Sequence, residues 1–175
     1  GMAFIQAAQL TEGNFHSFSS PSKQPFTQKI RYTTTFTPAL ILAAISSVDT
    51  PPALAVRNKL ANWLVAQKSP AWSFNYWAKD VPERHSLPYP DDLDDTFCVL
   101  IALHEHDASL VGEEVLASAV KLLIATESQV GGPYRTWLAA ETMPEVWQDV
   151  DLAVNANVAG FLRLVAEPLP NITKL

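Results

Sequence analysis

Four aspartates stand at the start of an apolar segment. Asp91, Asp92, Asp94 and Asp95 come just before the run 97–103, FCVLIAL. Crowded carboxyls repel one another, so a helix N-terminus, a metal ion or a bound proton must offset the repulsion. Neighbouring carboxyls push at least one pKa upward, so this cluster could hold a proton for general acid chemistry.

The same oxygens also suit a hard cation. Mg²⁺ prefers carboxylate ligands and commonly bridges them to a diphosphate. We predict a tentative magnesium site, with no cofactor as the alternative. Its ligands would be Asp91, Asp92, Asp95 and Asp151. Asp151 is included because it precedes a later apolar segment as Asp92 precedes 97–103.

A third interpretation needs no ligand. Asp and Thr in front of an apolar helix are frequent N-caps, and acidic residues in the first turn complement the helix dipole. The acidic cluster would then only begin a helix. Asn155, inside the later apolar segment, could equally be a ligand contact, a cap or a buried amide that bonds backbone.

The elements that must position these residues recur along the chain. Gln9, Gln67 and Gln129 each stand near a helix end, followed by a turn and an aromatic residue. The spacing of roughly 60 residues is typical of stacked supersecondary units. We predict one domain, 2–175, and treat Gly1 as a tag remnant. Its repeats would cover about 2–48, 49–107 and 108–167.

Each repeat is predicted to contain two helices of different character. The outer helices are amphipathic, and the inner helices are apolar nearly all round and therefore buried. The outer segments are 53–67, 111–128 and a shortened 4–10. The inner segments are 40–45, 97–103 and 154–164. The predicted class is all-α, with three helical hairpins.

Long aromatic connections join outer to inner helices. They cover 17–34, 73–90 and 135–148, and all three lead into inner-helix N-termini. Long loops in compact domains often carry function. We expect them at one end of the molecule. The predicted substrate contacts are Trp77, Tyr89, Tyr134, Trp137, Trp147 and Asn155.

These residues resemble a known superfamily. The outer helix and turn 59–72, with its Lys, Trp-Leu, Gln and Trp, look like the repeat motif of squalene and oxidosqualene cyclases. The segment 92–96, DLDDT, resembles the acidic motif of class II terpenoid cyclases. Both belong to the α/α-toroid superfamily, which includes protein prenyltransferase β subunits. The chain has about half the repeats of a closed barrel, so the resemblance implies part of a toroid.

The resemblance also implies a chemistry. Asp94 would be the general acid that protonates an alkene or epoxide, with Asp92 and Asp95 as neighbours that tune it. The ligand would be an isoprenoid or its diphosphate, and aromatic side chains would stabilise a carbocation. The alternative is a non-catalytic α/α-toroid domain that binds a ligand or a partner, in which the aspartates are only caps.

The composition of the chain argues against several other classes of protein. The net charge is −6 and Lys and Arg form no stripe, which argues against a nucleic-acid partner. The longest apolar runs are too short to span a bilayer. The single cysteine, Cys98, leaves no internal disulfide and fits a reducing compartment. We therefore expect a cytoplasmic protein.

Three hairpins would leave the inner helices at both ends of the arc uncovered. Large uncovered apolar faces favour association. We predict a homodimer, or another partner that completes the toroid. Light scattering at micromolar concentration should give twice the mass of the chain, and a monodisperse monomer would contradict the prediction.

Overall fold

The chain folds mostly into helices. The computed structural model describes residues 1–21 and 29–166. The α-helices in these ranges are α1 (Met2–Ala8), α2 (Phe36–Ala44), α3 (Pro51–Gln67), α4 (Glu83–Ser86), α5 (Leu93–His106), α6 (Glu113–Thr126) and α7 (Leu152–Leu164). Two 3-10 turns cover Ala108–Leu110 and Glu145–Trp147. The helical class predicted from the sequence is confirmed.

A small antiparallel sheet was not predicted. Its strands are β1 (Ser17–Ser19) and β2 (Ile30–Tyr32), with Ser17 opposite Tyr32. The strands are three residues each and mostly exposed, too short to leave a clear alternation in the sequence. They occupy the first of the three predicted connections.

Helix α3 has a clear local cause. The Thr50 hydroxyl accepts a hydrogen bond from Ala53 N at 3.4 Å, and Pro51 and Pro52 form the first helical positions. Proline suits this place because the first N–H groups of a helix have no partner within it. Val56, Leu60 and Leu64 are buried, so one side of α3 faces the core.

Helix α5 is central to the core. It packs against α2 on one flank and α7 on another, and also touches α3. Phe97 and Phe161 meet with their ring centroids 5.2 Å apart, which joins α5 to α7. Phe97, Leu100 and Leu103 are fully buried, and each such side chain contributes about 1.5–3 kcal/mol relative to exposure. The predicted inner segments are therefore neighbours, although a toroidal arc remains a prediction.

Two parts of the backbone pair in the same way. Two connections each pair with the start of the preceding inner helix through two hydrogen bonds, one on either side of a tryptophan. The bonds are Ala78 N to Thr33 O and Thr35 N to Tyr76 O around Trp77, and Leu138 N to Asp91 O and Leu93 N to Thr136 O around Trp137. These bridges bring the aromatic connections to the starts of α2 and α5.

Gln9 ties the first turn to α3. Its Nε2 donates to Gly13 O at 2.8 Å and to Val56 O at 2.9 Å. Gly13 itself has φ +104°, a conformation that side chains disfavour. A Cβ at this position would lie 2.5 Å from Lys59 O. The glycine is thus required by both conformation and space.

No helix in the described ranges combines the length and apolar character needed to cross a membrane.

Gly13→Ala should lower the free energy of unfolding by about 2 kcal/mol, through backbone strain and the clash with α3. Gly160→Ala is the matched control. Gly160 is exposed in α7, and among the described residues no atom beyond its own helix would touch the added Cβ. This change should raise stability by about 0.5–1 kcal/mol. Urea titrations in which the two variants behave alike would contradict the assignment of strain to Gly13.

Candidate functional site

The aromatic connections and the starts of α5 and α7 line an open cavity of about 680 Å³. Its carboxyl side chains are Asp92, Asp94, Asp95, Asp149 and Asp151. Its aromatic side chains are Tyr32, Tyr76, Trp77, Tyr89 and Trp137. The expectation that the connections come together is confirmed for these residues, and Asp94 and Asp151 lie in the same cavity.

The rings form a continuous aromatic wall. Trp77 lies 4.8 Å from Tyr76 and 6.0 Å from Tyr89, measured between centroids. Tyr89 contacts Trp137 at 6.1 Å, and Trp137 meets Trp147 edge-on at 4.7 Å. Edge-to-face packing at these distances stabilises such a wall. Trp147 supports the wall from behind rather than lining the cavity.

Asp92 begins α5. Its Oδ1 accepts a hydrogen bond from Asp95 N at 2.7 Å, the usual geometry of an N-cap. Its carbonyl oxygen accepts from the Thr96 hydroxyl, and that hydroxyl accepts from Phe74 N at 3.0 Å. Asp92 is 3% exposed, so this cap places a carboxyl inside the protein.

Asp95 lies beside Asp92 and is equally buried. Burial is the largest cause that raises the pKa of Asp92, to about 6, while hydrogen bonds from Asp95 oppose it. Burial, followed by the charge of Asp92 and the hydrogen bond to it, raises the pKa of Asp95 well above its usual range. The Thr35 hydroxyl lies 3.3 Å from Asp95 Oδ1 and opposes this rise. The pair therefore holds a proton on Asp95, donated to Asp92.

Asp94 has a different environment. It is half-buried, and its Oδ1 accepts a hydrogen bond from Asn157 Nδ2 at 2.7 Å. The Cys98 thiol lies 3.9 Å from the same oxygen, and burial, followed by the charge of Asp94, raises the pKa of Cys98 to about 12. Asp94 is thus tied to α7 through Asn157.

Asp91 does not reach the cavity. Its carboxyl accepts hydrogen bonds from Ser73 Oγ at 2.6 Å and Asn75 Nδ2 at 3.2 Å, and Arg84 lies 3.5 Å away. Arg84 also donates to Trp77 O at 2.9 Å. Asp91 is therefore engaged in folding the second connection, so its side chain is turned toward partners other than Asp92.

The predicted magnesium ligands do not form a ligand set. Asp91 faces Ser73 and Arg84, while Asp92 and Asp95 share a proton. Across residues 1–21 and 29–166, no three acidic, His or Cys side chains are grouped for a metal ion. The geometry gives magnesium no support, and we derive no chemistry through a metal.

The third repeat has a capping aspartate like that of the second repeat, but it has no buried pair of aspartates among the described residues. Asp151 Oδ1 accepts from Ala153 N at 2.6 Å and Val154 N at 3.3 Å, so it begins α7 as Asp92 begins α5. Asp151 is exposed, unlike Asp92. The equivalence seen in the sequence is thus an equivalence of capping position.

Asn155 and Tyr134 do not contact the cavity. Asn155 is 2% exposed, accepts from Tyr134 N and donates to Tyr134 O, both at 2.9 Å. Its amide also donates to Asp151 O at 2.8 Å. The interpretation of Asn155 as a buried amide that bonds backbone describes its place. Tyr134 is buried beside it, and for both residues the role of substrate contact stays a prediction.

Seven lining residues were not among the predicted site residues: Tyr32, Tyr76, Leu87, Thr136, Asp149, Ala153 and Val154. Tyr32 lies in β2, Tyr76 precedes Trp77, and Thr136 precedes Trp137. Tyr76 and Thr136 occupy matching places in the two backbone bridges, so the repeat could have indicated them. Burial, followed by the charge of Asp95, raises the pKa of Tyr76, which keeps this phenol neutral.

The charged side chains that line the cavity are all acidic among the described residues. Of the described residues around the cavity, five are aspartates and none is Lys, Arg or His. One buried donor also awaits a partner: within the described part of the chain, Trp77 Nε1 has no hydrogen-bond acceptor. A buried polar group without a partner is costly, so an acceptor on a bound molecule would stabilise it.

The raised pKa values predict a dependence of stability on pH. Unfolded carboxyls release their protons near pH 3.9, whereas burial raises the native pKa of Asp92 to about 6 and that of Asp95 well above its usual range. The native state thus binds more protons in this window, and the free energy of unfolding falls as pH rises through it. Asp95→Asn keeps a donor to Asp92 without the charge. Its stability relative to the unchanged protein should improve by about 1–3 kcal/mol between pH 4 and pH 8.

Asp49→Asn provides the control for the change in net charge, because Asp49 is exposed at the α2–α3 connection. Chemical denaturation at a series of pH values measures both variants. A stability difference between them that stays constant from pH 4 to pH 8 would contradict the shared proton.

Comparison with known proteins yields no family for this chain. No model of a protein family matches it, and no curated protein matches it in sequence. The chemistry of the cavity is therefore inferred from its residues.

Proposed function

We propose that the cavity binds a neutral, unsaturated isoprenoid and protonates one of its carbon–carbon double bonds. The proposal keeps the resemblance to class II terpenoid cyclases and treats the three repeats as part of an α/α toroid. The observation that carries it is the buried Asp92–Asp95 pair, which holds a proton at the edge of an aromatic cavity.

The charge of the lining favours a neutral substrate over a diphosphate. A diphosphate needs Lys, Arg or a metal ion to balance its charge. The described lining supplies five aspartates and no basic side chain. A polyene with an oxygen acceptor, such as an alcohol or epoxide, fits better, because Trp77 Nε1 can donate to that oxygen.

The proton would come from the aspartate pair. The carboxylic acid of Asp95 gives its proton, directly or through Asp92, to one carbon of the double bond. A C–H bond forms, the π bond breaks, and the adjacent carbon becomes cationic. The next double bond attacks this carbon, and loss of a proton to a carboxylate ends the sequence. The net reaction is an isomerisation and needs no co-reactant.

The surroundings would stabilise the cation. Trp77, Tyr89 and Trp137 line the cavity, and cation–π contacts with such rings contribute about 0.5–2 kcal/mol each. Asp94, predicted from the sequence as the acid, fits better as a carboxyl that faces the developing positive charge. Asn157 fixes its position through the 2.7 Å hydrogen bond.

A second candidate function is binding without catalysis. It is favoured by one observation: Asp92 and Asp151 both cap helices with ordinary geometry. In that case the same cavity would hold an apolar ligand or partner, and the aspartate pair would serve the fold. Incubation in D₂O separates the two functions, because protonation labels the product.

The test uses farnesol, geranylgeraniol, squalene and oxidosqualene as probes in D₂O buffer, with products analysed by mass spectrometry. We expect an isomeric product that carries one deuterium at the protonated carbon. Asp95→Asn should reduce its formation by about 100-fold or more, the usual contribution of a general acid. Asp49→Asn, outside the cavity, should leave it unchanged.

Tryptophan fluorescence follows binding in the same samples. Quenching without any labelled product from the four probes would replace catalysis by the binding function. Absence of both quenching and product would overturn the isoprenoid assignment altogether. Product formation that survives Asp95→Asn would assign the proton to another group.

A further inference from the structure

A second cavity, of about 410 Å³, lies apart from the aromatic one. It is bounded by the turn after α1, the end of α3 and the start of the second connection. Asn14 and His16 line it from the turn, and Trp63 and Gln67 line it from α3. None of its lining residues belongs to the aromatic cavity.

Two residues that line this cavity each carry a buried polar atom without a hydrogen-bond partner in the described part of the chain. Asn14 is 4% exposed, and across the described ranges its Oδ1 receives no hydrogen bond. In the same described ranges, His16 Nδ1 is also buried and has no hydrogen-bond partner. Buried polar atoms in native proteins are nearly always paired, and an unpaired one costs about 1–3 kcal/mol. Two such atoms on one cavity point to a molecule that completes them.

The second repeat provides an internal comparison. The aromatic residues Phe15 and Phe74 correspond, so Asn14 corresponds to Ser73 and His16 to Asn75. Ser73 and Asn75 both donate to the Asp91 carboxyl, at 2.6 and 3.2 Å. Asn75 Oδ1 also accepts from Trp77 N at 3.0 Å. The matching side chains in the second repeat are thus fully paired.

The first repeat lacks this internal partner. The residue that corresponds to Asp91 is Thr33, as the two backbone bridges show, and Thr33 lines the second cavity. A hydroxyl replaces the carboxyl that closes the second repeat. A closed network of hydrogen bonds therefore surrounds Asp91, whereas a cavity lies beside the corresponding residue, Thr33.

The unpaired atoms define the ligand chemistry. The Asn14 carbonyl oxygen can only accept, so it requires an N–H or O–H donor. Burial, followed by the charge of Arg31, lowers the pKa of His16, whereas Glu12 opposes this. The imidazole is then neutral at pH 7 and one ring nitrogen is an acceptor.

The charge of the second cavity indicates which kind of hydrogen-bond donor a ligand should carry. Glu12 and Asp80 line it, and no Lys or Arg does so among the described residues. Trp63 offers an indole ring, the best partner for cation–π contact. A positively charged group with several N–H donors matches the two acceptors, the two carboxyls and the indole ring, and only the charge of Arg31 near His16 acts against it.

We propose that this second cavity is a binding site for a small organic cation with N–H donors, an alkylammonium or alkylguanidinium group. Asn14 Oδ1 and His16 Nδ1 accept its hydrogen bonds, Glu12 and Asp80 balance its charge, and Trp63 contacts it. The site is independent of the function proposed for the aromatic cavity.

The test is an NMR titration that follows the indole N–H signals of the five tryptophans, assigned by Trp→Phe variants. The probes are n-butylguanidinium and n-butylammonium, with n-butanol and butyrate as neutral and anionic controls. We expect a saturable shift of the Trp63 signal with a cationic probe and none with the controls. Asn14→Leu should weaken binding by about tenfold, as expected for a lost hydrogen bond to a charged group.

Two further variants keep the test decisive. Glu12→Gln changes an exposed lining residue and should weaken binding about threefold even if Asn14→Leu does not fold. Asn58→Leu, on the exposed side of α3, is the control and should bind normally. The proposal is overturned if no saturable Trp63 shift occurs, or if the neutral probe binds equally well. It is also overturned if Asp94→Asn, in the aromatic cavity, abolishes the Trp63 shift.

Discussion

The start of α5 is the constraint on which the site depends. Asp92 must cap this helix, yet the packing of α5 between α2 and α7 buries the cap and its neighbour Asp95. Two carboxyls in a low-dielectric space cannot both ionise without a large cost, so the pair retains a proton. A structural need, the cap, thus creates a chemical property, a protonated acid beside a cavity. Asp151 caps α7 with the same geometry, but its side chain is exposed.

Repetition explains why the aromatic residues meet this acid. Each backbone bridge fastens a connection to the start of the preceding inner helix, and each bridge surrounds a tryptophan. The same local geometry therefore places both Trp77 and Trp137 at the aromatic cavity, and Tyr89 lies between them. No further interaction is needed to position the rings, because the same backbone bridges that hold the connections also place the tryptophans in the wall of the cavity.

The two cavities arise where the repeats differ. In the second repeat Asp91 satisfies Ser73 and Asn75, and the connection is closed around these bonds. In the first repeat Thr33 occupies the corresponding place, and Asn14 and His16 remain unpaired around an opening. In the third repeat Asn155 occupies the place of Thr96 and bonds both backbone groups of Tyr134. The exchange of the Asp91 carboxyl for the Thr33 hydroxyl thus coincides with the change from a closed hydrogen-bond network to a cavity.

The sequence by itself determined the helical class, the approximate extents of α3, α5 and α7, and the position of the acidic cluster at a helix start. These features depend on local periodicity and capping, which neighbouring residues specify. Tertiary structure decided which carboxyls share a proton, that Asp91 turns to Ser73 and Arg84, and that Asn155 serves the backbone. Each outcome depends on partners distant in the chain, as the contact of Thr35 with Asp95 illustrates. Burial and pairing across such distances set the pKa values and the free hydrogen-bonding atoms, and no local pattern encodes them.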